Sequence, residues 1–265
     1  SAYTRVNIAF IVWDSNGNIV NQFDDASKSF TLTKQMVSNL QAKGVDVFIS
    51  IGGGAGSTLE CNTNNNPTFI SNFIDGILNV TNEYGFSGVD FDIEHRSGDY
   101  VQCAAIIAQV MNTLHAHKLQ VTMAPQMTNV YPDLNTVSAG FNELAPLVAM
   151  ENSTVLESVQ VQMYNTWAAV ETTSYAEQYT KELAAGYTVT ADSKQYFVQV
   201  PPSQLLLGYP ASPKGAGSGY INPVQLKTMY NTLKSSGYTI SGFMTWSIGW
   251  DEQNQWNFAN TLGGL

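Results

Sequence analysis

Residues 86–94, Phe-Ser-Gly-Val-Asp-Phe-Asp-Ile-Glu, form the stretch from which the fold is predicted. Acidic and apolar residues alternate along its second half, and successive side chains of a β-strand point to opposite faces of the sheet. Asp90, Asp92 and Glu94 therefore share one face of the predicted strand, and the apolar residues between them share the other. One face can pack under helices, while the other lines a site that requires acidic groups.

Three ionised carboxylates at this spacing repel one another. Such crowding favours a bound proton on at least one of them near neutral pH, as a general acid requires. A solvated edge strand and a calcium site are the alternatives. Edge strands, however, favour mixed charge and lysine, and calcium loops favour asparagine, glycine and backbone oxygens.

The composition favours one large domain spanning residues 1–265, since barrels of this length commonly form a single unit. The net charge is −10 with only 11 lysine and arginine residues, which argues against nucleic acid and anionic membrane surfaces as partners. No run of 18 apolar residues occurs. The low charged fraction of 12% is common in secreted proteins, so we expect an extracellular protein whose secretion signal was removed or lay upstream.

Predicted strands alternate with predicted helices along the whole chain, which indicates an α/β fold with parallel strands. Polar residues follow several strand ends, where a (β/α)8 TIM barrel has its active site. An open doubly wound sheet is the rival architecture. Polar inward faces on several strands favour the closed barrel. The predicted strands and helices are strands 6–13, 45–51, 86–94, 119–124, 158–164, 205–209 and 242–246, and helices 33–43, 67–81, 100–117, 173–185 and 223–235.

Residues 87–94 resemble the DGxDxDxE signature of family 18 glycoside hydrolases, the chitinases and their relatives, with Ser87 in place of the first aspartate. The resemblance covers essentially the whole chain and implies a barrel without an inserted α+β domain. Only seven strands are predicted, so we expect the family's first strand to lie in residues before Ser1 that are absent from this sequence. The alternative is that residues 196–199 fill the gap.

The resemblance extends to other strand ends. Ser50, Gly52 and Gly53 match the family's SxGG motif and are expected to contribute to substrate binding. Tyr164 stands in the family's sixth-strand motif, where it helps to hold the acetamido group of the substrate. Trp246 lies on the last strand, where the resemblance implies the floor beneath the sugar at subsite −1.

Family resemblance also implies the chemistry. Glu94 would protonate the leaving oxygen and later activate water, while the substrate's own acetamido oxygen attacks the anomeric carbon to give an oxazolinium ion. Asp92 would orient and stabilise that group, and Asp90 would share a proton with Asp92. Tyr164 would hold the acetamido oxygen.

Further candidates lie near the predicted strand ends. Gln126 and Asn165 are expected to hydrogen-bond the sugar, and Trp167 to offer a stacking platform. His115 and His117 lie two positions apart on a predicted helix, where side chains do not face each other, so no metal site is predicted. No cofactor is implied.

We therefore expect a monomeric, endo-acting, retaining chitinase whose partners are chitin or chitooligosaccharides. Two alternatives stay open: an endo-β-N-acetylglucosaminidase acting on N-glycans, and a catalytically inert, lectin-like chitin-binding protein. The sequence also leaves open whether Cys61 and Cys103 are bridged or free. Both are expected in loops at the same rim of the barrel.

Overall fold

A computed structural model describes residues 2–21, 31–132, 141–152, 154–168 and 170–265. The chain divides into two compact units. The first consists mainly of Tyr3–Ala124 with Ser153–Glu157, and the second of Pro125–Asn152 with Ser158–Leu265. Within the described ranges, no helix is both long and apolar enough to cross a membrane.

The first unit alternates strands and helices as the sequence predicts. Its parallel strands lie side by side in the order β1, β3, β5, β7, and β2 pairs with the outer edge of β1 in antiparallel orientation. The elements are β1 (Arg5–Trp13), β2 (Ile19–Asn21), α1 (Lys34–Gln41), β3 (Asp46–Gly52), β4 (Leu59–Glu60), α2 (Cys61–Asn64), α3 (Pro67–Tyr84), β5 (Gly88–Asp92), β6 (Arg96–Ser97), α4 (Tyr100–Ala116) and β7 (Gln120–Met123).

Helix α3 illustrates why these elements form where they do. It begins because the side chain of Asn66 accepts a hydrogen bond from the Phe69 backbone N–H, and it ends at Gly85, whose φ of 77° suits a residue without Cβ. Phe69, Phe73 and Ile77 recur at four-residue spacing and are buried. This spacing gives the helix one apolar face, as an amphipathic helix requires.

A disulfide joins Cys61, at the start of α2, to Cys103, in the first turns of α4, with a Cα–Cα distance of 4.8 Å. The sequence left open whether the two cysteines are bridged or free, and the structure shows that they are bridged. The prediction that both lie in loops is wrong, because each lies in a helix. The short strands β4 and β6 pair in parallel close by, with Leu59 opposite Arg96. Together these links tie the segment after β3 to the segment after β5.

Removing this bridge is expected to destabilise the protein by about 4 kcal/mol, because a cross-link over 42 residues restricts the unfolded chain. The variant Cys61→Ala/Cys103→Ala should therefore unfold at lower urea concentration than the parent. Parent protein treated with a phosphine reductant is the control and should show a similar loss. An unchanged unfolding midpoint in both samples would contradict this expectation.

In the second unit, β8, β11 and β12 are parallel neighbours, and β9 and β10 form a separate antiparallel hairpin. Its elements are α5 (Ala145–Glu151), β8 (Leu156–Gln162, from Ser158 onward in this unit), α6 (Thr173–Ala185), β9 (Tyr187–Ala191), β10 (Lys194–Val198), β11 (Leu205–Pro210), α7 (Pro223–Ser235), β12 (Gly242–Trp246), α8 (Ile248–Gln253) and α9 (Asn257–Leu262).

The predicted bounds of α6 and β12 agree with the structure residue for residue. The proposal that residues 196–199 fill a gap in the barrel is wrong, because β10 pairs with β9 in a two-stranded sheet of its own. The hairpin turn at Asp192 and Ser193, both with positive φ, brings the two strands together.

Candidate active site

Asp90 is the most enclosed of the three acidic residues, with 2% of its surface exposed. The register of the parallel strands places Ser50 of β3 on one side of it and Thr122 of β7 on the other. The Ser50 hydroxyl donates a hydrogen bond of 2.9 Å to Asp90 Oδ2, and the Thr122 hydroxyl donates one of 2.6 Å to Oδ1. Hydroxyl groups from the two neighbouring strands thus supply hydrogen bonds in place of the water that burial removes from this carboxylate.

Burial raises the pKa of the Asp90 carboxyl above its ordinary value of 3.8, since the charged form is costly away from water. Hydrogen bonds from Thr122 and Ser50 oppose this rise, as do the positive charge of Arg5 and a hydrogen bond with Asn7. Desolvation is the largest effect, so Asp90 holds its proton at a higher pH than an exposed aspartate.

This raised pKa makes stability depend on pH. A carboxyl that binds its proton more tightly in the folded state stabilises the fold fully below its unfolded pKa of 3.8, and that contribution is lost as pH rises through the folded pKa. The free energy of unfolding of the parent, relative to Asp90→Asn, should therefore fall with rising pH, by at most about 1.4 kcal/mol per pH unit. Urea unfolding of both proteins at a series of pH values measures this, and a constant difference would contradict it.

Asp92 ends β5 and is 8% exposed. Its backbone carbonyl accepts a hydrogen bond of 2.8 Å from the Gly53 N–H. A Cβ on Gly52 would lie 2.2 Å from that same carbonyl oxygen, and the φ of Gly52 is +107°, so only glycine fits here. The predicted glycine motif therefore lies directly against the acidic strand and lets the backbone of β3 turn closely around Asp92.

Glu94 lies two residues beyond the end of β5 and is half-buried. Its carboxylate faces the backbone of Gly54, where an added Cβ would be 3.4 Å from Oε2. The prediction that all three acids lie within one strand is wrong for Glu94, because regular pairing stops at Asp92. Glu94 is more accessible than Asp90 and Asp92, which suits a group that exchanges protons with a substrate.

His95 holds the segment that carries Glu94. Its Nε2 lies 2.9 Å from the Gly54 carbonyl oxygen, and its own carbonyl accepts a hydrogen bond of 2.9 Å from the Leu59 N–H. The Arg96 guanidinium also donates to the Ile93 carbonyl. The two His95 contacts thus fix the segment that carries Glu94 to the loop that follows β3, and the Arg96 bond joins the two sides of Glu94 to each other.

The second unit carries the remaining predicted residues. Tyr164 is buried two residues after the end of β8. Gln126 forms a parallel bridge with Gln162, whose N–H donates to the Pro125 carbonyl at 2.9 Å. Gln126 therefore lies at a pairing position and Tyr164 follows a strand, which places both near strand ends, as predicted.

Asn165 has a positive φ of 56°, and its side-chain oxygen accepts a hydrogen bond of 2.9 Å from the Gly217 N–H. Trp246 ends β12 with 38% of its surface exposed, and its peptide bond to Ser247 is cis. Trp167, 39% exposed, stacks on Phe141 with ring centroids 5.8 Å apart. Trp167 and Trp246 thus present aromatic surface to solvent, as sugar-stacking residues do.

The sequence motifs do not identify Thr122 as a site residue, and they predict that Ser50 contributes to substrate binding. In the structure the hydroxyl groups of both residues donate hydrogen bonds to Asp90. A threonine between Val121 and Met123 in a buried strand was the available signal, because a polar residue in such a strand requires a partner.

A comparison with protein-family models matches residues 1–261 to glycosyl hydrolases family 18. This chain belongs to glycosyl hydrolase family 18. Among similar curated proteins, the chitinase Chi52 of Paenibacillus xylanexedens is 28% identical and chitinase D of Niallia circulans 27% identical. Each alignment covers 100% of this family 18 chain and 58% of the relative, so the chain spans little more than half of their length.

Solved structures give the fold of this family 18 member. The C-terminal domain of Legionella pneumophila ChiA has a TM-score of 0.76 at 25% identity, with 97% of this chain and 90% of that chain covered. A family 18 chitinase from Chromobacterium violaceum has a TM-score of 0.84 at 24% identity, with 99% of this chain and 76% of that chain covered. These likenesses and the family match confirm the predicted fold class, the α/β fold of the (β/α)8 TIM barrel type.

Proposed function

We propose that residues 1–265 act as a single catalytic domain, a retaining and endo-acting chitinase that cleaves β-1,4-linked N-acetylglucosamine polymers. The observation that carries this proposal is the graded environment of the acids: Asp90 and Asp92 are buried, whereas Glu94 is half-buried beyond the strand end. Pairs of carboxyl groups in different surroundings are the usual mark of divided acid and base roles.

Glu94 is the proposed general acid and base. It protonates the glycosidic oxygen, which departs with the leaving sugar, and then removes a proton from the water that opens the intermediate. The nucleophile is the acetamido carbonyl oxygen of the substrate, as in the substrate-assisted enzymes of this family. The resulting oxazolinium ion carries a positive charge, and Asp92 offers a carboxylate to stabilise it.

Asp90 is proposed to share a proton with Asp92. Burial keeps the pKa of Asp90 raised, and the Ser50 and Thr122 hydroxyls accommodate either protonation state because they can donate or accept. A proton that moves between the two aspartates allows Asp92 to become negative when the oxazolinium ion forms.

We propose that the second unit supplies residues that bind the sugar. Tyr164 would hold the acetamido oxygen, and Trp246 would stack beneath the sugar ring, since pyranose rings have an apolar face. Gln126 and Asn165 would hydrogen-bond hydroxyl groups, and Trp167 would stack on a further sugar. The exposure of Trp246 and Trp167, 38% and 39%, supports these two stacking roles.

The proposed setting is extracellular, with chitin or chitooligosaccharides as partners and the protein as a monomer. The Cys61–Cys103 disulfide supports this setting, because such bridges persist in oxidising compartments. The net charge of −10 favours a neutral polysaccharide over nucleic acid.

An endo-β-N-acetylglucosaminidase is the second candidate. A fungal endo-β-N-acetylglucosaminidase of family 18 has a TM-score of 0.73 at 19% identity, with 99% of this chain and 88% of that chain covered. That likeness concerns the fold alone. The hypothesis of a catalytically inert, lectin-like protein has less support, because the residues proposed for catalysis, Asp90, Asp92, Glu94 and Tyr164, are all present.

The test is to incubate the protein with chitotetraose and, separately, with a high-mannose N-glycopeptide, and to follow the products by chromatography and early NMR. We expect cleavage of chitotetraose with the β-anomer formed first. An initial α-anomer would exclude a retaining mechanism. Release of the N-glycan without cleavage of chitotetraose would favour the second candidate, and binding without cleavage would favour a lectin.

A further inference from the structure

The loop formed by residues 212–222, between β11 and α7, contacts the backbone at two of the aromatic residues just discussed. A Cβ on Gly219, whose φ is +87°, would lie 2.5 Å from the Tyr164 Cα. A Cβ on Gly215 would lie 2.8 Å from the Trp246 carbonyl oxygen. The loop therefore lies directly against the backbone of Tyr164 and of Trp246 within the second unit.

One carboxylate bridges this loop to the segment after Tyr164. Glu171 Oε1 accepts hydrogen bonds from the Thr166 N–H at 2.7 Å, from the Thr166 hydroxyl at 3.1 Å and from the Ser218 hydroxyl at 2.7 Å. Next to this bridge, Asn165 Oδ1 accepts the Gly217 N–H at 2.9 Å. Two consecutive residues after Tyr164 are thus joined to two consecutive residues of the loop.

These polar bridges carry more weight than packing at this place. Gly217 and Ser218 are exposed, so little apolar burial holds them. Glu171 is half-buried, and a single oxygen of its carboxyl group accepts all three hydrogen bonds, two of them at 2.7 Å. Removing Glu171 would leave the loop held at this point by the Asn165 bridge and the glycine contacts.

We propose that Glu171 is a positioning residue for the glycosidase reaction, acting through Thr166 and Ser218 to hold loop 212–222 against Tyr164 and Trp246. This inference rests on the proposed function, in which Tyr164 holds the acetamido oxygen and Trp246 supports the sugar. Attack by the acetamido oxygen requires alignment within fractions of an ångström, so a looser tyrosine lowers kcat more than it raises KM.

The experiment compares four variants with the parent: Glu171→Ala, Glu171→Gln, Ser218→Ala and the double variant Glu171→Ala/Ser218→Ala. The matched control is Glu177→Ala, which removes one negative charge from a half-buried glutamate on the neighbouring helix α6. For each protein, kcat and KM are measured on chitotetraose. Amide hydrogen exchange of peptides covering residues 160–168 and 212–222 is followed by mass spectrometry.

We expect Glu171→Ala to lower kcat about tenfold, with a change in KM below about threefold. Glu171→Gln should recover most of this loss, because its side-chain oxygen still accepts the three hydrogen bonds. Ser218→Ala should lower kcat alone but add little to Glu171→Ala, since both act through one bridge. Exchange in the two peptides should be faster in Glu171→Ala and unchanged in Glu177→Ala.

Several results would overturn the inference. One is a kcat of Glu171→Ala equal to that of Glu177→Ala. Another is full additivity of the effects of Glu171→Ala and Ser218→Ala on kcat. A third is amide exchange in Glu171→Ala that is unchanged from the parent in both peptides. If the parent cleaves no chitin oligosaccharide, the proposed function fails, while hydrogen exchange still reports whether Glu171 holds the loop. If Glu171→Ala does not fold, Ser218→Ala provides the same readouts, since it removes the hydrogen bond that joins Glu171 to the loop.

Discussion

Glu94→Gln is expected to lower kcat on chitotetraose about a thousandfold, with little change in KM. Glutamine has the shape of glutamate but cannot donate a proton to the glycosidic oxygen or take one from water, and general acid–base groups typically contribute 10²–10⁴-fold. Glu94 is half-buried against Gly54, so the replacement fits without a new steric contact. Steady-state kinetics with product quantification measures the effect.

The leaving group gives this prediction a sharper form. An activated aryl group departs without protonation. On a chitobioside with such a leaving group, Glu94→Gln should therefore lose much less rate in the first step, in which the glycosidic bond breaks, than it loses on chitotetraose. Glu83→Gln is the control, because Glu83 is an exposed glutamate on α3. If the kcat of Glu94→Gln on chitotetraose were within about threefold of that of Glu83→Gln, Glu94 would not be the general acid.

Asp92→Asn is expected to lower kcat about a hundredfold on both the oligosaccharide and the activated substrate. In the proposed mechanism the stabilised charge lies on the oxazolinium ion, so a better leaving group does not compensate for the lost carboxylate. The backbone of Asp92 is held by the Gly53 N–H independently of its side chain, which favours normal folding of the variant. Kinetics on both substrates measures the effect.

The control for Asp92→Asn is Asp75→Asn, since Asp75 is an exposed aspartate on α3. The two catalytic variants should differ in pattern: only Glu94→Gln is rescued by the activated leaving group. If Asp92→Asn were rescued to the same extent, its role in stabilising the intermediate would be wrong. An activity equal to that of Asp75→Asn would contradict any catalytic role.

The acidic strand was predictable because its signals are local. Alternation of acidic and apolar residues predicted a shared strand face for Asp90 and Asp92, and both residues lie in β5 and are buried. Glu94 continues the alternation in sequence, yet it lies beyond the strand, because strand ends depend on the neighbouring strands. The pairing of Asp90 with Ser50 and Thr122 depends on the register of β3 and β7, which no single segment encodes.

The hairpin of β9 and β10 shows the same limit. Its strands are five residues each, and its turn is Asp192-Ser193. Tight hairpin turns with positive φ are usually marked by asparagine or aspartate followed by glycine, and here serine follows. The Glu171 bridge was equally hidden, because Thr166 and Ser218 lie 52 positions apart.

The Cys61–Cys103 disulfide closes a loop that contains β5, so Asp90, Asp92 and Glu94 all lie between the two bridged positions. A single protease cut anywhere from residue 62 to residue 102 would leave the two fragments covalently joined through sulfur. Clipped protein would then run as intact material on a non-reducing gel and as two bands after reduction. Purity of a preparation of this protein should accordingly be judged under both conditions before any activity is compared with that of a variant.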